Sequence, residues 1–293
     1  MNRKPIICGA LGLALALCIT VFAGCTREPG TGDAQETGKP IVAVTIVPEQ
    51  TFVEAVCGDK AEVITLVPPG NSPENYEPTP EQMEKFSDAS LYFTIGVPTE
   101  EANILPSAGD VKVVALQDEA AAVYPARTFE SGETDPHSWL SPKRVKTMVE
   151  AIARELRAID PDNGDVYDQN AKAYMDQLDD LDEYIRTALS GVQNRKIIVY
   201  HPAFGYFADD YDLTMYALEE EGKEATPQHL QDMIDLAKAE NIKVIFYQEE
   251  IDSSQSAAFA EELGGKTMQL SPLAANYIDN LKSMADLMAE VMQ

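Results

Sequence analysis

The 293-residue sequence predicts an α/β fold: two α/β lobes with parallel sheets, joined by one long rigid helix. Three observations carry this. Short apolar runs alternate with amphipathic stretches from Ile41 onward, one unusually long helical pattern interrupts them midway, and a second strand-helix series follows. Such alternation gives parallel strands, because each helix returns the chain before the next strand joins the sheet.

The first residues stand outside that pattern. Arg3 and Lys4 precede an apolar run over 5–23, which closes on Phe22-Ala23-Gly24-Cys25. A charged start, an apolar body and small residues before a cleavage point make 1–24 a signal peptide rather than a membrane-spanning anchor. Cleavage before Cys25 leaves a thiol that can be acylated, so Cys25 reads as a lipoprotein acceptor. Residues 26–40 are rich in Gly, Thr, Glu and Pro without apolar periodicity. The segment 25–40 is therefore a lipidated cysteine on a flexible tether. The expectation is an exported chain held by lipid at the outer face of the cell membrane.

The first lobe is expected over 41–160, with strands at 41–47, 61–67, 91–96 and 111–116. A helix over 79–86 is announced by Thr79-Pro80-Glu81-Gln82, which supplies a cap, a first-turn proline and an early acid. Ser141-Pro142 opens another helix, reaching Ile159. After Asp160-Pro161-Asp162, the residues Tyr167, Ala171, Tyr174, Leu178, Leu181, Ile185 and Leu189 recur at helical spacing with acids between them. A helix of about 25 residues spans about 37 Å, enough to cross between lobes, and 161–192 is read as the link. The second lobe, 193–293, has candidate strands at 196–200, 213–218, 244–247 and 267–270. No internal repeat is strong enough to indicate duplication.

Composition narrows the function. Cys8 and Cys18 leave with the signal and Cys25 carries lipid, so Cys57 is alone and reads as a buried structural thiol among apolar neighbours. The 269 residues left after cleavage must be held by their core. Loss of Arg3 and Lys4 takes the formal charge from −27 to −29. That argues against nucleic acid and an anionic bilayer surface as partners, while a negative field raises the local concentration of cations, though acidity also serves plain solubility.

Three histidines are present. His137 lies in Asp135-Pro136-His137-Ser138-Trp139-Leu140, just before a helix and beside the single Trp. His201 directly follows a strand, in His201-Pro202-Ala203-Phe204-Gly205-Tyr206. Both stand where α/β folds place ligand contacts, and an aromatic close behind each can wall a pocket. Taken alone, each serves equally well as a cap or surface residue. His229, in the first turn of a helix, reads as a solvent-facing structural residue. Two imidazoles do not close a tetrahedral site, so carboxylates must complete one. Glu74, in Pro73-Glu74-Asn75-Tyr76-Glu77-Pro78, and Glu250, just after a strand, are placed for it. Taken alone, each is a solvated loop charge.

These phrases resemble the substrate-binding proteins of zinc and manganese ABC transporters, the cluster A-I family with a rigid helix between two lobes. Its members usually read Pro-His-x-Tyr-Glu-Pro, Asp-Pro-His-x-Trp and His-Pro-x-Phe-x-Tyr in this order. The resemblance runs from Ile41 to the C-terminus. It implies a divalent ion, zinc foremost with manganese or iron as alternatives, held by His137 and His201 in the cleft between the lobes. It further implies delivery to a cognate ABC permease by a monomeric binding protein that is not an enzyme. Two departures stand out. Glu74 occupies the place of the first His, and Ser271, in Leu270-Ser271-Pro272, that of the usual late Asp. Glu250 is then expected to supply the missing carboxylate, giving a metal set of Glu74, His137, His201 and Glu250, formally neutral around a divalent cation. The acidic segment 128–134 carries no His and stands for a vestigial metal-gathering loop.

Two other readings compete. A secreted metallohydrolase shares the two-His, carboxylate and water shell, but no His-Glu-x-x-His is present and its base would have to be Glu249 or Glu77. The same fold also suits a metal chelate in place of the free ion.

Overall fold

The apolar runs become strands, and those at the centre of each sheet are the most deeply buried. The computed structural model describes residues 38–219, 225–250 and 254–292, so the signal peptide, Cys25 and most of the tether lie outside the described residues. Among those described, eight four-residue strands form inside, or within one residue of, the expected runs. β1 (Ile41–Val44), β2 (Glu62–Thr65), β3 (Leu91–Thr94) and β4 (Lys112–Ala115) make a parallel sheet of order β2-β1-β3-β4. β5 (Lys196–Val199), β6 (Thr214–Ala217), β7 (Val244–Tyr247) and β8 (Lys266–Gln269) make a second, of order β6-β5-β7-β8. The two sheets share one winding, a likeness the residues themselves do not disclose. All four residues of β3 are buried, as expected of a central parallel strand covered by helices.

The helices follow in chain order: α1 (Val47–Cys57), α2 (Pro80–Ser87), α3 (Leu116–Ala121), α4 (Pro142–Ile159), α5 (Gly164–Leu189), α6 (Gly205–Asp210), α7 (Pro227–Ala239), α8 (Ser254–Glu262) and α9 (Tyr277–Val291). The expected start of α2 is a reciprocal cap. Thr79 Oγ1 accepts from Gln82 N, and Gln82 Oε1 accepts from Thr79 N at 2.7 Å.

α5 is the long helix, 26 residues, and its buried face holds Tyr167, Ala171, Tyr174, Leu178, Leu181, Ile185 and Leu189. It does not cross alone. α1, α4 and α9 pack against it, because an apolar face that long needs several partners to leave water. One continuous core runs from Val42 and Phe93 in the first sheet, through Met148 and Leu178, to Ile197 and Phe207 in the second lobe. Tyr277 of α9 meets Phe52 of α1 edge-on, with centroids 4.9 Å apart, so the C-terminal helix reaches the first lobe. Cys57 is buried and unpaired. At the far end of the same core, Asp210 of α6 accepts from Ser141 Oγ at 2.5 Å and from the buried Arg144 of α4 at 3.2 Å. This pins the start of α4 to the second lobe.

Candidate metal centre

The winding places every candidate residue beyond the C-terminal end of a strand or at a helix entrance, where open α/β sheets bind ligands. His201 follows β5 by two residues and Glu250 follows β7 by three. His137 precedes the 3-10 turn Ser138–Leu140 that leads into α4. Glu74 lies in the loop between β2 and α2. That loop is fixed from behind by Thr99 N donating to Pro73 O and Asn103 Nδ2 donating to Tyr76 O.

The chain brings three of the four together. Ligand atoms of Glu74, His137 and His201 all lie within 4.8 Å of one another. The two Nε2 atoms are 3.2 Å apart, and His201 Nε2 is 3.8 Å from Glu74 Oε1. Both imidazoles are 4% exposed, while Glu74 keeps a quarter of its side chain open.

Each imidazole is held from behind by a carboxylate. His137 Nδ1 lies 2.8 Å from Asp135 Oδ1, and His201 Nδ1 lies 3.1 Å from Glu219 Oε1. A carboxylate can only accept, so it fixes the Nδ1–H tautomer and leaves each Nε2 as a lone pair. Two lone pairs facing each other at 3.2 Å repel unless a cation or a proton stands between them. The arrangement is a socket for positive charge.

Asp135 and Glu219 are the residues that sequence reasoning missed in this role. Asp135 was in view as part of a motif. Glu219 had no local signal at all: the parallel register Val199↔Ala217, continued two residues, sets it beside His201. Asp135 also accepts from His137 N at 3.0 Å, and its Oδ2 stands 3.9 Å from Arg127 Nη1. Gly205 makes this possible, since a Cβ there would come within 2.6 Å of the Arg127 guanidinium and 2.7 Å of Asp135 Oδ2. Tyr206 OH closes the brace, donating to Asp135 O and accepting from Arg127 N.

Glu250 stands outside the trio but borders a small cavity, about 10 Å3, together with Glu74, His137, Trp139, His201 and Gln248. That volume admits one small occupant. Glu250 Oε2 is buried without a hydrogen-bond partner. Burial, reinforced by the neighbouring Glu249 carboxylate, pushes the Glu250 carboxyl above its ordinary range. Trp139 walls the cavity as expected, donating through Nε1 to Pro272 O. Phe204 instead sits in the core. Ser271 contributes its carbonyl to Asn280 Nδ2.

His229 departs from expectation. It is half-buried rather than solvent-facing, its Nε2 2.9 Å from Ala217 O. The first turn of α7 lies against the end of β6, and a ring there reaches the strand carbonyl. It stands outside the trio and borders a different cavity, with Arg127 and Tyr216.

The trio opens into a cavity of about 780 Å3 whose walls include Glu74, Glu101 and Glu133, with no Lys or Arg among the described lining residues. A concave surface of one sign focuses its field and gathers cations. Segment 128–134 forms a small hairpin at its rim, closed by Phe129 N to Glu133 O at 2.9 Å. Glu77 and Glu249, the acids that a hydrolase would need, are exposed.

Two parallel sheets, a helix crossing between them and a carboxylate-backed imidazole pair below an acidic cavity define a two-lobed solute-binding protein with a socket for a cation. Residues 42–291 match the family model for the periplasmic component A of the zinc-uptake complex, and the chain belongs to that family. It is 28% identical to the high-affinity zinc uptake system protein ZnuA of Bacillus subtilis, over 94% of this chain and 95% of that one. It is 29% identical to the manganese-binding lipoprotein MntA of Halalkalibacterium halodurans, over 83% and 82%. A crystal structure of ZnuA superposes with a TM-score of 0.82 at 35% identity, covering 87% of this chain and all of that one. The family is one of transporter binding components rather than enzymes.

Proposed function

We propose that this chain captures a divalent transition-metal ion, zinc foremost, outside the cytoplasmic membrane and delivers it to an ABC permease, with Glu74, His137, His201 and Glu250 as the ligands. The observation that carries the reading is the 3.2 Å separation of two buried, carboxylate-backed Nε2 atoms. Two nitrogens bound tetrahedrally to zinc at 2.0–2.1 Å stand roughly 3.3–3.4 Å apart, so little adjustment is needed. The Glu74 carboxylate, a quarter of its side chain exposed, borders the wider cavity and meets the ion first. The buried Oε2 of Glu250, which has no hydrogen-bond partner, gains one when a cation arrives. Two neutral imidazoles and two carboxylates balance the charge of a divalent ion.

The organisation proposed around this site is a signal peptide over 1–24, a tether over 25–40 with lipid on Cys25, lobes over 41–160 and 193–293, the link at 161–192, and a monomer in solution. Equilibrium dialysis of the mature chain against zinc tests the site. One ion per chain is expected, with His137→Ala, His201→Ala and Glu74→Ala each weakening binding by about tenfold or more. His229→Ala should leave it unchanged. Equal small effects from all four variants contradict the assignment.

A further inference from the structure

We propose that Gln248 is a selectivity residue, its side-chain oxygen giving the site a fifth donor that admits manganese(II) or iron(II) beside zinc. The inference rests on the ligand set proposed above and adds to it. Gln248 follows β7 directly, is 7% exposed and borders the same 10 Å3 cavity as the imidazole pair and Glu250. Its Oε1 is buried without a hydrogen-bond partner, as is Glu250 Oε2 two residues on. Buried acceptors without donors carry a desolvation penalty. Two of them at one strand end, bordering a single-ion cavity beside two Nε2 lone pairs, are all satisfied by one cation.

Counting donors makes the case for selectivity. Four ligands complete a tetrahedral zinc shell, and with Glu74, His137, His201 and Glu250 in place the Gln248 oxygen is surplus. Ions that prefer five or six ligands and more oxygen use it. The nitrogen separation allows this as well. An ion at right angles to Nε2 atoms 3.2 Å apart sits about 2.3 Å from each, a longer bond that suits a larger ion.

The test is a chelator-competition titration of zinc and of manganese on the mature wild type and on Gln248→Leu, Gln248→Glu and His137→Ala. Gln248→Leu should lower manganese affinity by about tenfold or more, the scale of a lost metal contact, and change zinc affinity by less than threefold. Gln248→Glu, which keeps the oxygen, should retain manganese. His137→Ala should lose both metals. Equal changes for the two metals in Gln248→Leu, or none for either, overturn the selectivity role while leaving the site intact. Full retention of both metals by His137→Ala overturns the site reading itself, a separate failure.

Discussion

The brace behind His137 offers a quantitative test of how the protein preorganises its socket. Asp135 Oδ1 holds both the ring Nδ1, at 2.8 Å, and the backbone N of His137, at 3.0 Å, and its side chain is fully buried. Asp135→Ala removes both contacts, frees the ring to rotate and lowers the basicity of Nε2. Outer partners of this kind are worth about 10–100-fold in metal affinity, or roughly 1.4–2.7 kcal/mol. Asp135→Asn retains an accepting oxygen but loses the charge and faces Arg127 with an amide, so its loss should lie toward tenfold and that of Asp135→Ala toward a hundredfold. Zinc affinity by chelator competition is the assay, run with His137→Ala and the double variant to close a cycle. If Asp135 acts through His137, adding Asp135→Ala to His137→Ala should cost almost nothing further. A folded Asp135→Ala protein within twofold of wild-type affinity, or full additivity in the cycle, refutes the reasoning.

Other consequences follow from the same geometry. Glu219→Gln should weaken zinc by about tenfold through His201, on the same scale, measured by the same competition. Gly205→Ala forces a Cβ against Arg127 and Asp135, so it should lower zinc affinity about tenfold as well; an unaltered affinity would show that the brace adapts. Zinc at about a thousand times its Kd adds roughly 4 kcal/mol to the native state, which for a chain of this size raises Tm by about 7 °C, read by calorimetry with a chelator as control. The buried acids at the C-terminal ends of β1 and β3 predict a pH dependence. Glu100 is buried, accepting from Thr45 Oγ1, Ile95 N and Gly96 N, and burial pushes its carboxyl up to about 7 against those hydrogen bonds. A carboxyl raised from 4.5 to about 7 binds its proton more tightly in the folded state, so its contribution to apo stability is full below 4.5 and is lost as pH rises through about 7, on the order of 3 kcal/mol. Glu100→Gln should flatten that slope in pH-dependent denaturation, and an unchanged slope would assign it elsewhere.

The sequence foretold what depends on local pattern. The seven apolar positions of α5 are the buried ones because helical spacing alone decides which side of a helix meets the core. His201 and Glu250 were placed near the site because residues that leave parallel strands emerge on one edge. What was not legible depends on juxtaposition. Glu219 meets His201 through strand register, Gly205 is required by an arginine 78 residues earlier in the chain, and the orphaned oxygen of Gln248 shows only once the cavity has closed around it. His229 misled because a first-turn position exposes a side chain only when no strand end lies beneath it. The likeness of the two sheet windings left no trace in residues, since parallel strands ask for apolar content rather than for particular side chains.

The most direct test of the central claim is an anomalous difference map of the zinc-loaded crystal, collected across the zinc absorption edge. The account predicts one strong peak between the lobes, about 2.0–2.1 Å from both His137 Nε2 and His201 Nε2, with Glu74 and Glu250 oxygens completing the shell. A peak elsewhere, with the imidazole pair left bare, would contradict it.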